Sequence, residues 1–298
     1  MKIAIPKRHN SPATNLYAKT ITTPHGKFGD REIILLLPGG PGGNHTVFNS
    51  IQAELLQYGD LILFDPRGCG NSDESDTIYC SMEHYIEDIE AIRQHFNLPK
   101  MILLGGSYGA MAAVGYAIKY GQFLEKLVLL AGAPSHRFLD TAKENLKQIG
   151  TEDQIKAAEN LFAGTFKNAD HFKEYYLITS SLYLFNSAKT QNAPPTIAPS
   201  IPYNIAVTNF GFGDFLRTFN FEPNLKDIHC PTLILVGQND WINDPSHAKY
   251  MADHIPNSKL IIFAKCGHFL WADQRTEFFQ ALDNFFLGDH QPHKTLSL

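Results

Sequence analysis

No apolar run in this 298-residue chain is longer than a β-strand, so no segment is built to cross a bilayer as a helix. Basic charge is scarce as well. Against 30 Asp and Glu stand 25 Lys and Arg, a net charge of −5, which leaves no surplus of the kind that neutralises a phosphate backbone. The four cysteines, Cys69, Cys80, Cys230 and Cys266, lie far apart with no Cys-x-x-Cys spacing. That spacing argues against a metal site and suits a reducing cytoplasm. The first residues, Met1 to Arg8, hold no sustained apolar core, so no secretory signal is expected, and no internal repeat is apparent. What the chain does have is 44% hydrophobic residues, enough over this length for one core with an insertion. The expected partner is a small molecule or short peptide, with no nucleic acid, membrane, metal or cofactor.

Short runs rich in Ile, Leu and Val fall near residues 31–37, 60–64, 100–105, 126–131, 231–237 and 258–263, each bounded by Gly, Pro or Asp. Alternating with helix-length segments, they predict parallel strands buried on both faces, an α/β fold. Tyr85, Ile86, Ile89, Ile92 and Phe96 recur at helical spacing, which predicts a helix over Met82 to Phe96 with one face on the sheet. The first 25 residues read as an antiparallel edge hairpin. Between Ala131 and Pro231 the strand rhythm stops. Helices near Phe138 to Ile149 and Glu152 to Phe162 precede an aromatic-rich stretch and the Pro-rich Asn192 to Pro202, with a bend expected at Gly211-Phe212-Gly213. The chain thus divides into a core (1–134), a mainly helical cap (135–224) and a second core part (225–298). Most cap aromatics, from Tyr175 and Phe185 to Phe219, are expected to form the cap's own core, and a minority to face a pocket.

One apolar run breaks into Gly105-Gly106-Ser107-Tyr108-Gly109 and resumes with helix formers. This is Gly-x-Ser-x-Gly in strand-turn-helix context, a turn that presents a serine hydroxyl at the tip of a sheet. Serine is a poor nucleophile near neutral pH, so the motif calls for a histidine base and a carboxylate to orient it. The run from Pro231 ends in Gly237 and then Asp240, past the carboxyl end of a strand, where open parallel sheets bind ligands. The last strand, Ser258 to Phe263, is followed by Ala264-Lys265-Cys266-Gly267-His268, which places His268 in the loop after it. Ser107, Asp240 and His268 therefore stand in the chain order of an α/β-hydrolase triad, each after a strand. Asp244, before Pro245, reads as a turn or helix-cap residue. Cys266 reads as a small buried neighbour. An oxyanion needs two backbone N–H donors: Tyr108, after the nucleophile, supplies one, and Gly40 in the loop Pro38-Gly39-Gly40-Pro41-Gly42-Gly43 supplies the other. Asp65 and Arg67 read as anchors of the loop after the second core strand.

These motifs together resemble the proline iminopeptidase (prolyl aminopeptidase) family of serine peptidases, within the α/β-hydrolase fold, over nearly the whole chain. Gly39-Gly40-Pro41-Gly42 is similar to that family's H-G-G-P-G loop, and Asp65-x-Arg67-Gly68-x-Gly70-x-Ser72 to its D-x-R-G-x-G-x-S segment. Two departures matter. Pro38 stands where the family has the loop's histidine, so this loop needs another brace. The family's peptidases hold the substrate ammonium with glutamates, one directly after the catalytic acid and one in the cap. Here those positions are Trp241 and, by an ungapped count, Asn209, with Asp214 and Glu222 as candidate substitutes. The resemblance implies an aminopeptidase releasing small N-terminal residues, proline first. An esterase, lactonase or small-amide hydrolase uses the same machinery, and a ligand-binding protein that kept only the fold is the remaining alternative.

Overall fold

A computed structural model describes residues 1–7, 11–185, 200–288 and, as backbone, 296–297. Its strands are β1 (Lys2–Ile5), β2 (Thr14–Ile21), β3 (Ile33–Leu37), β4 (Asp60–Phe64), β5 (Met101–Gly106), β6 (Leu124–Leu130), β7 (Thr232–Gly237), β8 (Ser258–Phe263) and β9 (Leu296–Ser297). They form one sheet in the order β1-β2-β4-β3-β5-β6-β7-β8-β9. β1 and β2 make the antiparallel hairpin expected of the amino end, β2 pairs antiparallel with β4, and every later pairing is parallel. The Ile-Ile-Leu-Leu-Leu run of β3 and the Asp-Leu-Ile-Leu-Phe run of β4 are buried at every position, because helices cover both faces of the sheet.

The helices are α1 (Gln52–Leu55), α2 (Met82–His95), α3 (Tyr108–Tyr120), α4 (Phe138–Ile149), α5 (Glu152–Ala163), α6 (Ala169–Tyr183), α7 (Ile205–Gly213), α8 (Pro245–His254), α9 (Leu270–Asp273) and α10 (Arg275–Phe286). α2 starts at Ser81, whose hydroxyl accepts from the His84 amide, and buries Tyr85, Ile86, Ile89 and Ile92 as its spacing requires. α5 opens on a capping box between Thr151 and Gln154. Among the described residues no helix is long and apolar enough to cross a membrane.

The turn after β4 is anchored as its residues suggest. Asp65 Oδ1 accepts from the His45 amide at 2.8 Å and faces His45 Nδ1 at 2.7 Å, while Oδ2 accepts from the Asn71 amide. Arg67 grips the Asp88 carboxylate with Nε and Nη2 at 3.1 and 2.7 Å, both side chains buried. Arg67→Ala leaves that carboxylate buried without the guanidinium and is expected to lower unfolding free energy by about 3–5 kcal/mol, read as a fall in urea midpoint.

Between β6 and β7 the chain leaves the sheet and carries α4 to α7. Its two ends meet at an antiparallel bridge between Ser135 and Asn220. Beside the bridge Glu222 accepts from Ser135 Oγ at 2.5 Å and pairs with Arg137 at 3.3 Å. α6 packs through rings against the segment before it and the segment before α7, Phe172 lying within 6.0 Å of Phe166, Tyr175, Tyr176 and Tyr203. Phe185 is the exception to the expected aromatic core, since it is exposed. The expected bend lies one residue late: Gly211 and Gly213 belong to α7, and the chain turns at Asp214. Gly211 is needed for proximity, because a Cβ there would sit 2.3 Å from the Pro41 ring. Residues 192–199 of the Pro-rich stretch lie outside the described residues.

Candidate active site

β5 delivers the chain to Ser107 at the carboxyl edge of the sheet, and α3 begins at the next residue. Ser107 has φ 55° and ψ −119°, a conformation an L-residue adopts only under constraint. Two contacts impose it. The Ser107 amide donates to Leu130 O of β6 at 2.8 Å, and α3 lies so close to the end of β3 that a Cβ on Gly109 would fall 2.1 Å from Leu37 O. As the first residue of α3, Tyr108 has an amide without an intrahelical acceptor, in a turn that favours negative charge.

The loop after β7 brings in a carboxylate. Asp240, 2% exposed, accepts at Oδ1 from the Ile242 and Asn243 amides at 3.1 and 3.0 Å. Its Oδ2 faces His268 Nδ1 at 2.7 Å. Asn243 Nδ2 donates to Ala131 O at 2.6 Å, which ties this loop to the end of β6. His268 follows β8, and its amide donates to Tyr183 O of α6 at 2.9 Å, with the two rings edge to face 5.7 Å apart. The loop after β3 is braced through its carbonyls instead of by a histidine. Pro38 O accepts from Tyr85 Oη at 3.1 Å, Pro41 O from Thr208 Oγ1 at 2.8 Å, and Gly42 O from the Asn204 amide at 2.9 Å.

Ser107, Gly40 and His268 line one cavity of about 70 Å³. The insertion roofs it with Leu161, Phe172, Tyr176, Tyr183, Tyr203 and Phe212. Burial raises the Tyr176 and Tyr183 phenols well above their usual range and pushes Tyr203 up to about 12, so all three are neutral near pH 7. Burial likewise raises the Cys266 thiol, in keeping with a protonated packing residue. Asp244 caps α8, accepting from the Ser246 amide at 2.8 Å and from Asn145 Nδ2 at 3.1 Å.

The four residues expected to contact substrate do not line this cavity. The backbone curls around Asp240 Oδ1, which turns Trp241 away into a buried slot against Phe162 and Tyr183 and gives the wall to Ile242. Asn209 spends both ends of its amide on the Phe166 backbone, at 3.0 and 2.8 Å. Asp214 is exposed at the end of α7, and Glu222 is held by Ser135 and Arg137 at the root of the insertion. Ile242 and Phe172 are wall residues that the sequence did not single out, whereas Tyr183 is one of the cap aromatics that face the cavity. A sharp turn after a buried Asp was the available signal for Ile242; α6 carried none for Phe172.

The arrangement has the parts for nucleophilic attack on a carbonyl: a hydroxyl on a constrained turn, an imidazole held by a carboxylate, and backbone amides at a helix start. It has little for a cation. An aromatic face attracts an ammonium by about 0.5–2 kcal/mol. Burying an unpaired ion costs several kcal/mol.

Comparison with known proteins gives one fold. The family described as alpha/beta hydrolase fold matches residues 32–273. A proline iminopeptidase of Pestalotiopsis fici, PfmaB, is 30% identical over 245 residues, covering 80% of this chain and 86% of that protein. The proline iminopeptidase of Saccharolobus solfataricus is 30% identical over 278 residues, covering 86% and 85%. The crystal structure of the Mycobacterium smegmatis proline iminopeptidase superposes with a TM-score of 0.73 at 20% identity, covering 96% of this chain and 98% of that one.

Proposed function

The chain belongs to the proline iminopeptidase family of α/β-hydrolases and is a hydrolase; from that premise we propose that it cleaves an amide or ester through an acyl-enzyme on Ser107. His268 takes the Ser107 proton as Oγ attacks the carbonyl carbon. Asp240 fixes the imidazole with Nδ1 toward the carboxylate, leaving Nε2 for the serine, and stabilises the ring when it becomes charged. The amides of Gly40 and Tyr108 hold the oxyanion. Collapse of the tetrahedral intermediate breaks the bond to the leaving group, which takes the proton from His268. Water then attacks the acyl ester, His268 again accepting a proton, and the acid departs with Ser107 restored. The insertion over 135–224 acts as the cap that keeps bulk water from this cycle, between core parts 1–134 and 225–298. The cysteine usage supports a cytoplasmic setting.

The observation that carries this reading is the 2.7 Å contact between Asp240 and His268 in the wall of the cavity that Ser107 opens into. The names of the relatives support an N-terminal proline as the acyl part. The cavity walls favour an ester, lactone or amide of an uncharged acid. A fluorophosphonate probe tests the chemistry shared by both: the wild type is expected to be labelled on Ser107, and Ser107→Ala to remain unlabelled under the same conditions. A folded wild type that resists the probe would make the chain a ligand-binding protein with a hydrolase fold.

A further inference from the structure

The walls of the cavity also define which acyl groups fit, an inference that rests on the serine-hydrolase reading above. Apart from His268, no lining residue among those described carries an ionisable charge near neutral pH. The insertion holds nine acidic residues between 135 and 224. Eight of them are exposed to solvent, and the ninth, Glu222, is committed to Ser135 and Arg137. Residues 186–199, outside the described part, contain no Asp or Glu in their sequence, so no carboxylate enters from there. Asp240, the carboxylate behind the lining residue His268, has both of its oxygens taken, Oδ1 by two amides and Oδ2 by His268.

An acyl group with a free α-ammonium would therefore enter a small aromatic enclosure with no carboxylate among its described lining residues. Tyrosine oxygens offer it hydrogen bonds but no negative charge, and the Tyr183 hydroxyl is already bonded to that of Tyr175 at 2.6 Å. Aromatic faces recover only part of the lost hydration. An apolar acyl group of the same shape loses nothing on entry and gains contact with Phe172, Phe212 and Ile242. We propose that this cavity selects small uncharged acyl groups and rejects those bearing a free α-ammonium, so that the enzyme hydrolyses amine-free or N-blocked amides and esters rather than removing N-terminal residues.

The test uses the full chain at pH 7 and two isosteric anilides. L-Prolyl 4-nitroanilide carries a ring ammonium, and cyclopentanecarbonyl 4-nitroanilide has a methylene in its place. Fluorophosphonate occupancy of Ser107 is read on the same sample. The uncharged substrate is expected to have the higher kcat/KM by at least about tenfold, in line with the cost of an unpaired buried ion. A ratio below ten, or a preference for the prolyl compound, overturns the selectivity while Ser107 labelling keeps the hydrolase reading standing. Labelled enzyme that turns over neither anilide also overturns the selectivity alone. Unlabelled enzyme inert to both removes the hydrolase reading, and the selectivity with it.

Discussion

Ser107→Ala and His268→Ala are each expected to lower kcat by about 10⁴-fold or more, because triad members act as a unit and losing one strands the others. Asp240→Asn is expected to cost about 10⁴-fold as well, since an amide that donates to Nδ1 selects the wrong tautomer of the imidazole. The fold should tolerate all three. Ser107 holds its turn through its own amide and not its hydroxyl, so alanine leaves the bond to Leu130 O intact. In Asp240→Asn the remaining carbonyl oxygen can still accept from the Ile242 and Asn243 amides, the contacts that shape the loop. Measured with the preferred acyl substrate, activity should collapse while the thermal midpoint stays near wild type. Near-full activity in folded Asp240→Asn would move the acid elsewhere, Asp244 being the first to examine despite its capping bonds.

The glycines around Ser107 should separate sharply under substitution. Gly109→Ala is expected to lose about 3 kcal/mol or more of stability, or to yield no soluble protein, because its Cβ would meet the Leu37 carbonyl at 2.1 Å and the Pro38 carbonyl at 2.8 Å. Those obstacles are backbone, which no rotamer change can clear. Gly105→Ala meets the Gly109 carbonyl at 2.4 Å and should behave alike. Gly106→Ala, three residues upstream of Gly109, meets nothing within 4 Å and should leave stability unchanged or raise it by less than about 1 kcal/mol. Urea midpoints of the three variants decide the matter, and a tolerant Gly109→Ala would mean that α3 and β3 do not approach as closely as described.

The core strands were legible in the sequence because burial on both faces of a parallel sheet leaves unbroken apolar runs, such as Ile33 to Leu37 and Thr232 to Gly237. Only β6 starts earlier than its run, at Leu124, since Glu125 and Lys126 interrupt the apolar pattern at the strand's exposed end. The helices α4 and α5 were legible from their one-sided burial, whereas α6 and α7 were not. In α6 the exposed Leu177 and Ile178 blur in the sequence the stripe that buries Phe172, Tyr175, Thr179, Leu182 and Tyr183, and α7 touches the loop after β3 as well as other parts of the insertion, so it has no single apolar stripe. Ser107, Asp240 and His268 could be picked out because each follows a strand. Trp241 lies off the cavity for a local reason: whether Trp241 or Ile242 faces it depends on how the backbone wraps around Asp240, and residue order alone carries no such direction.

The bridge between Ser135 and Asn220 closes the insertion at its root, and β6 pairs directly with β7 beneath it. To the sheet, everything between those two residues is a closed loop whose length and composition do not alter strand register. Variation there can reshape what the site admits so long as it keeps the contacts by which the insertion holds the site, Tyr183 O on the His268 amide and Thr208 Oγ1 on Pro41 O, so selectivity and chemistry are joined at a few backbone points only. A graft that exchanged 136–219 between relatives at this bridge would carry the taste of one enzyme to the machinery of another.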